Sequence, residues 1–241
     1  MGAKRDKLQK LETVLFFRRN FVPTPADELT GFEITHLKSL RLFNADKYIE
    51  IRDGNGRSYT YLCDVGSKKL IPAGILTDKL EQKNKSILAG AIPKGNRLEW
   101  LLQKGTELGV TEFHFCNFER SVRLDFSLER TERILAEAAT QSKRMFLPDV
   151  TLYKDWEDLV VKIGKENFYI LDPRSEVSFD HSKVRNKIAI IGPEGGFGSE
   201  IGKMQAINLP AYRLGEEILR METAYIFIAS INHYNNLLSF D

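Results

Sequence analysis

The sequence predicts an α/β protein in which a small β-rich domain precedes a larger domain built on a parallel sheet. Residues 14–76 contain short runs rich in Tyr, Ile, Val and Phe that are separated by turn residues. After residue 86, apolar strand-like segments alternate with helical ones, an order typical of a parallel sheet covered by helices. With 241 residues and 42% hydrophobic composition, the chain can bury a core in each of two domains.

The first domain centres on a predicted hairpin. Residues 48–51 and 58–62 are β-prone and flank Asp-Gly-Asn-Gly at 53–56, where glycine accepts the positive φ angles of a tight turn. A nearly all-polar stretch follows and predicts a linker. The predicted boundaries are residues 1–12 for an N-terminal extension without an assigned role, 13–77 for the first domain, 78–86 for the linker and 87–241 for the second domain.

In the second domain, runs that are apolar at every position predict strands buried on both faces. The runs at Phe168–Leu171 and Ile188–Ile191 are of this kind, and further strands are expected at 87–92, 110–115 and 211–214. Helices are expected at 97–108, from 127 to about 144, at Trp156–Ile163, after a cap at Ser199, and from 222 to about 238.

The cysteine spacing, the apolar runs and the charge distribution limit the classes of function that the sequence supports. Cys63 and Cys116 stand far apart, which indicates neither a disulfide framework nor a zinc site, and we expect no metal. The polar start and the lack of a long apolar run predict a cytoplasmic protein without a membrane anchor. The net charge is +2, yet residues 1–77 hold 13 Lys and Arg against 9 Asp and Glu. A nucleic-acid face and an ordinary solvated surface both fit this excess.

Two segments carry the chemistry. Residues 192–200 read Gly-Pro-Glu-Gly-Gly-Phe-Gly-Ser-Glu after a buried strand, so backbone groups there can approach a nucleotide-like ligand. This is neither a dinucleotide fingerprint nor a phosphate loop, and a simple chain reversal is the alternative. Residues 214–224 place Arg220, Glu222 and Thr223 where an apolar helix begins. Helix capping would explain each residue singly, but both loops open towards the same sheet edge.

These two segments resemble the signature motifs of RsmE-type RNA methyltransferases of the SPOUT superfamily. Residues 104–110, 119–122 and 137–144 are similar to further motifs of that family, in the same order, and the resemblance runs from about Leu15 to the C-terminus. It implies a PUA-like β-barrel at the N-terminus and a C-terminal α/β domain tied in a trefoil knot. It also implies a homodimer with no membrane association.

The resemblance implies transfer of a methyl group from S-adenosylmethionine to N3 of a uridine in 16S ribosomal RNA, within the small ribosomal subunit. Arg220 would stabilise charge on the uracil, while Glu194 or Glu222 would contact the sulfonium region or remove a proton; a purely structural hydrogen bond is the alternative for each glutamate. The end of the strand at Leu171 and Asp172 would form a third wall of the cofactor site, in addition to the two loops. The implied cofactor-binding residues are Leu171, Ile191, Gly192, Pro193, Glu194, Gly195, Gly196, Leu214, Gly215, Ile218, Leu219, Thr223 and Ala224.

RNA phosphates would be contacted by basic side chains of both domains. The candidates are Arg18, Arg19, Arg41, Arg52, Arg120, Lys143 and Arg144, and for each of them singly an ordinary solvated charge is the alternative. The residues themselves leave three other functions open. An NAD-linked oxidoreductase would share the α/β pattern but lacks the acidic residue expected after a GxGxxG turn. A non-catalytic RNA-binding protein and a ribose 2′-O-methyltransferase are the others.

Overall fold

The computed structural model describes residues 13–44, 46–78, 85–121 and 126–238. They form two compact units: the first takes in the described residues up to 78 together with Ala139–Leu147, and the second the remainder. The inclusion of Ala139–Leu147 in the first unit was not predicted. The proposed extension at 1–12 and most of the proposed linker lie outside the described residues, and the domain boundaries stay a prediction.

The first unit contains a four-stranded sheet and one helix. The strands are β1 (Val14–Phe17), β2 (Lys47–Arg52), β3 (Arg57–Asp64) and β4 (Lys69–Asp78), in the order β1-β2-β3-β4. The predicted hairpin is confirmed, because β2 and β3 pair antiparallel and Asp53 Oδ1 accepts hydrogen bonds from the backbone N–H groups of Asn55 and Arg57. Buried side chains of Phe16, Leu37, Ile49, Ile51 and Tyr61 form part of its core.

Helix α1 (Gly31–Ser39) was not predicted. It buries only Glu33 and Leu37, so it lacks the apolar stripe by which an amphipathic helix is recognised. Its sequence signal is a capping box: the Thr30 hydroxyl accepts from the Glu33 backbone N–H, and the Glu33 carboxylate accepts from the Thr30 backbone N–H.

The second unit alternates strands and helices, as predicted. Its strands are β5 (Ile87–Gly90), β6 (Glu112–Cys116), β7 (Asp149–Tyr153), β8 (Phe168–Leu171), β9 (Ile188–Ile191) and β10 (Ala211–Tyr212). Its helices are α2 (Asn96–Glu107), α3 (Leu128–Gln141, whose last three residues belong to the first unit), α4 (Trp156–Ile163), α5 (His181–Val184), α6 (Glu200–Ala206) and α7 (Met221–Leu238). Across the described ranges, none of the helices has both the length and the apolar character that crossing a membrane requires.

The six strands form one sheet in the order β10-β8-β9-β5-β6-β7, and every pairing is parallel. The predicted parallel α/β sheet is therefore confirmed. Strands β8 and β9 are buried at all four positions, as their continuous apolar runs predicted. Edge strand β7 was missed because most of its residues are exposed. Ser199 does stand at the N-cap of α6, but its side chain makes no capping hydrogen bond.

Close packing at the carboxyl end of β5 places the start of α7 beside the loop that follows β9. A Cβ atom on Gly90 would lie 2.0 Å from the Ile191 carbonyl oxygen and 2.7 Å from the Tyr225 hydroxyl, so only glycine fits. The Tyr225 hydroxyl donates a hydrogen bond to the Ala91 carbonyl at 2.9 Å. The two glycine-containing segments singled out in the sequence thus meet at one edge of the sheet.

Candidate active site

A cavity of about 620 Å³ opens at the carboxyl ends of β8, β9 and β10. Its walls are the loops after β8 and β9, the loop between β10 and α7, the first turn of α7 and the start of α2, with Arg120 from the segment after β6. The carboxyl edge of a parallel sheet is the usual place for ligands in α/β proteins, and this volume lies in the ordinary range for small-molecule sites.

Every residue predicted to bind the cofactor lines this cavity except Thr223. Thr223 is exposed on the first turn of α7, whereas Glu222 and Ala224 line the cavity. Successive helical residues are rotated by about 100°, so neighbouring positions do not share a face. Thr223 therefore lies outside the cavity lining, and its assignment to the cofactor site stays a prediction. The lining residues that were predicted are Leu171, Ile191, Gly192, Pro193, Glu194, Gly195, Gly196, Leu214, Gly215, Ile218, Leu219 and Ala224.

The three candidate catalytic residues also lie together at the cavity. Arg220 is exposed, and within the described part of the chain its guanidinium forms no hydrogen bond or ion pair. Glu222 is largely buried, and its Oε2 atom finds no hydrogen-bond partner among the described residues. Glu194 lies in the glycine loop with its side chain 31% exposed. With respect to the described residues, the site therefore offers an unpaired cation, Arg220, and a buried acceptor, Glu222 Oε2, to a ligand.

Arg97, on the first turn of α2, is a cavity residue that the sequence analysis missed. Its Nη1 atom donates to Glu194 Oε1 at 2.7 Å, and its Nε atom lies 3.7 Å from Glu222 Oε1. The sequence carries no local signal for this role, because the partners are 97 and 125 positions away.

Arg120, a candidate RNA contact, lies at the cavity, and its contact with RNA stays a prediction. It lines the cavity, and its Nη1 atom donates to the Gly195 carbonyl oxygen at 3.0 Å, so it supports the glycine loop. Glu119 supports the same loop, since its Oε2 atom accepts from the Ser199 backbone N–H at 2.8 Å. This hydrogen bond holds the pKa of Glu119 below its ordinary value. Glu200 Oε2 accepts from the Gly198 backbone N–H at 2.7 Å.

Asp172 and Arg174 form the wall that follows β8. Asp172 is buried, and its Oδ1 atom accepts from the backbone N–H and from Nε of Arg174 at 3.0 and 3.1 Å. The hydrogen bonds to Asp172 raise the pKa of Arg174 above its ordinary value. The cavity lining thus balances its charges: the cations are Arg97, Arg120, Arg174 and Arg220, and the anions are Asp172, Glu194, Glu217 and Glu222.

Three of the arginines proposed to contact RNA are used inside the first unit. Arg18 is bound by Glu33 and is only 18% exposed. Arg52 pairs with Glu50 at 2.7 Å and also donates to the Arg144 carbonyl. Burial lowers the pKa of Arg144 to about 10, which disfavours its charged form. The ion pairs of Arg18 and Arg52 argue against phosphate contacts by these two side chains. Of the remaining candidates in this unit, Arg41 and Lys143 are exposed and Arg19 is half-buried.

Comparisons with known proteins agree with this geometry. The model of the RNA methyltransferase domain family matches residues 80–233. The ribosomal RNA small subunit methyltransferase E of Mesomycoplasma hyopneumoniae is 31% identical over 83% of this chain and 90% of its own length. The protein of the same name from Synechocystis sp. is 32% identical over 85% of this chain and 72% of its own length.

A solved structure has the same fold. The crystal structure of a ribosomal RNA small subunit methyltransferase E from Neisseria gonorrhoeae, bound to S-adenosyl methionine, aligns with a TM-score of 0.73 at 24% identity. The alignment covers 93% of this chain and 98% of that one. From the family match and the two sequence relatives, the chain belongs to the RNA methyltransferase family, in the group of the ribosomal RNA small subunit methyltransferases E.

Proposed function

We propose that this protein methylates N3 of a uridine in 16S ribosomal RNA, with S-adenosylmethionine as the methyl donor. The observation that carries the proposal is the cavity in which the glycine loop, the loop before α7 and the unpaired Arg220 come together. The names of the relatives supply the class of substrate, small-subunit ribosomal RNA. The uridine N3 position follows from the resemblance of the motifs.

The cavity residues fit S-adenosylmethionine, which combines a flat apolar base with a sulfonium, an ammonium and a carboxylate. Side chains of Leu171, Ile191 and Leu219 offer apolar surface for the base, while Gly195 and Gly196 leave backbone groups accessible. The balanced charges of the lining suit a ligand that carries charges of both signs. When bound, this group supplies a methyl group activated by its sulfonium.

The residues of the chain then act on the uracil. Its N3 atom is a poor nucleophile while it keeps its proton, so the site must favour the deprotonated imide. The Arg220 guanidinium, unpaired among the described residues, stabilises the negative charge that spreads onto the uracil oxygens. Glu222 Oε2, buried and without a partner in the same ranges, accepts the N3 proton. Glu194 holds the glycine loop through Arg97.

The finer architecture belongs to the proposal as well. Strand β10 pairs with β8 at one edge of the sheet, and the chain then returns so that α7 packs on β5 and β9. This return past the loop after β9 supports the trefoil knot of the SPOUT superfamily. The four-stranded sheet of the first unit supports a PUA-like domain. Exposed apolar side chains on α7 support a homodimer; they are Phe227, Tyr234, Leu237 and Leu238.

RNA is held by electrostatic contacts in which Arg41 and Lys143, both exposed, and Arg19 of the same unit take part. Because the proposed substrate belongs to the small ribosomal subunit, we expect the enzyme to act in the cytoplasm.

Mapping modified nucleosides in 16S ribosomal RNA from cells with and without this gene tests the proposal. We expect one uridine to lose an N3-methyl group in the deletion strain and to regain it with the wild-type gene. Loss of a 2′-O-methyl group instead would assign the enzyme to the ribose. Unchanged modification, with RNA binding retained, would identify a non-catalytic RNA-binding protein.

A further inference from the structure

Arg97 connects two cavity loops: the loop after β9, and the loop between β10 and α7 taken together with the first turn of α7. Its partner Glu194 lies in the loop after β9, and its second partner Glu222 lies in the first turn of α7. A guanidinium can serve two carboxylates in this way because its donors point in several fixed directions within one plane. Arg97 itself belongs to α2, so a third element fixes the relative position of the two loops.

This contact is better suited to positioning than to stabilising the fold. The Arg97 side chain is 44% exposed, and exposed ion pairs contribute little to the free energy of unfolding. Without Arg97, however, two carboxylates that now share one cation would repel each other. We therefore expect the removal of Arg97 to move the loops rather than to unfold the protein.

The orientation of Glu222 shows what the contact achieves. The side chain of Glu222 is 13% exposed; its Oε1 atom faces Arg97, and its Oε2 atom is buried without a partner among the described residues. A buried carboxylate oxygen that lacks a hydrogen bond is costly. Because Glu222 lines the cavity, a ligand that brings an N–H donor would relieve this cost.

We propose that Arg97 is a positioning residue that fixes both cavity loops and orients Glu222, so that Glu222 Oε2 accepts a hydrogen bond from an N–H donor of the bound ligand. The connection between the loops is made by side chains of this chain alone. The nature of the donor rests on the proposed function, which supplies two sources of the same chemistry: the ammonium group of S-adenosylmethionine and the imide N–H of uracil.

Amide hydrogen exchange of the ligand-free protein tests the connection. The Gly196 N–H donates to Pro193 in the first loop, and the Ala224 N–H donates to Arg220 at the start of α7, so these amides report on the two loops. In Arg97→Ala both should exchange at least tenfold faster, and in Arg97→Lys only partly so. The matched control is Arg130→Ala, which removes an arginine paired with Glu99 outside the cavity. Unchanged exchange at both amides in Arg97→Ala would overturn the positioning role.

Glu222→Gln tests the acceptor and separates the two donors. Calorimetry uses S-adenosylmethionine and 5′-methylthioadenosine, which lacks the amino acid part, and single-turnover methylation of 16S ribosomal RNA gives the rate. If the ammonium is the donor, affinity for S-adenosylmethionine falls about tenfold while that for 5′-methylthioadenosine is unchanged. If the imide is the donor, both affinities hold and the rate falls at least tenfold. No change in affinity or rate would overturn the assignment of Glu222.

A wild-type protein that neither binds S-adenosylmethionine nor methylates RNA would instead contradict the proposed function. The exchange measurement would still decide the role of Arg97, because it needs no ligand.

Discussion

The guanidinium of Arg18 forms a bidentate ion pair with the carboxylate of Glu33: Nε donates to Oε1 at 2.9 Å, and Nη2 donates to Oε2 at 2.7 Å. Glu33 is buried, and the same carboxylate accepts from the Thr30 backbone N–H in the capping box of α1. One arginine therefore neutralises a buried charge and secures the start of a helix, a role that differs from both sequence-based readings of Arg18, a phosphate contact or a solvated surface charge.

Arg18→Ala should lower the free energy of unfolding by about 3 kcal/mol, because removal of one partner leaves a buried carboxylate uncompensated. Urea denaturation measures it. Arg57→Ala, which breaks the exposed pair with Asp78, is the matched control and should leave stability nearly unchanged. Equal losses of unfolding free energy in the two variants would show that the Arg18–Glu33 pair stabilises the fold no more than an exposed ion pair does.

Neutralising Arg41 and Lys143 together, as Arg41→Gln with Lys143→Gln, should weaken binding of 16S ribosomal RNA and flatten its salt dependence. For every phosphate that the protein no longer neutralises, the slope of log affinity against log salt should fall by roughly 0.7 to 0.9. Filter binding over a range of salt concentrations measures this slope. Lys183→Gln, an exposed cation on α5, is the control. A double variant with the parent slope would exclude these residues as phosphate contacts.

Gly195→Val should weaken binding of S-adenosylmethionine by at least tenfold, as measured by calorimetry, because it adds a side chain to a loop that lines the cavity. A Cβ at Gly195 meets only the Arg120 side chain at 3.6 Å, so the fold should tolerate it. Gly196 is the poorer choice for this test, since its φ of +70° would strain any larger residue. Gly202→Ala, in open space on α6, should bind like the parent. Unchanged affinity in Gly195→Val would show that S-adenosylmethionine does not bind against this loop.

Arg220→Ala should lower kcat by about a hundredfold or more, the usual effect of removing a preorganised donor. Affinity for S-adenosylmethionine should change little, because Arg220 holds no other described residue through its guanidinium. Arg220→Lys should restore part of the rate, since a point charge lacks the planar fork. Single-turnover methylation and calorimetry on the same variants separate these effects. A parallel loss of rate, cofactor affinity and thermal stability would make Arg220 a loop anchor instead.

Light scattering should show a homodimer, and Tyr234→Glu combined with Leu237→Glu should shift it to the mass of a monomer. Both side chains are exposed on α7, where a charge would be buried in the proposed interface. Thr35→Glu, on the surface of α1, serves as the control. A wild-type monomer that is fully active at low concentration would contradict the dimer.

Much of the second unit could be predicted because its signals are local. The continuous apolar run of β9 followed by glycines identified both a buried strand and the wall of the cavity. Arg97 could not be found in this way, since its two carboxylate partners are distant in the sequence. Nor could the sequence distinguish Arg18 from Arg41: both are cations near the N-terminus, and only tertiary packing gives one a buried partner and leaves the other exposed.

Methyl transfer in vitro shows most directly whether this protein methylates N3 of a uridine in 16S ribosomal RNA. Purified protein is mixed with S-adenosylmethionine and small ribosomal subunits from the deletion strain, and the nucleosides of the 16S ribosomal RNA are analysed by mass spectrometry. We predict one 3-methyluridine per 16S molecule, formed by the wild type and at least a hundredfold more slowly by Arg220→Ala. Absence of any methyl transfer by the wild type, or a product methylated on the ribose, would contradict the proposed methylation of uridine N3.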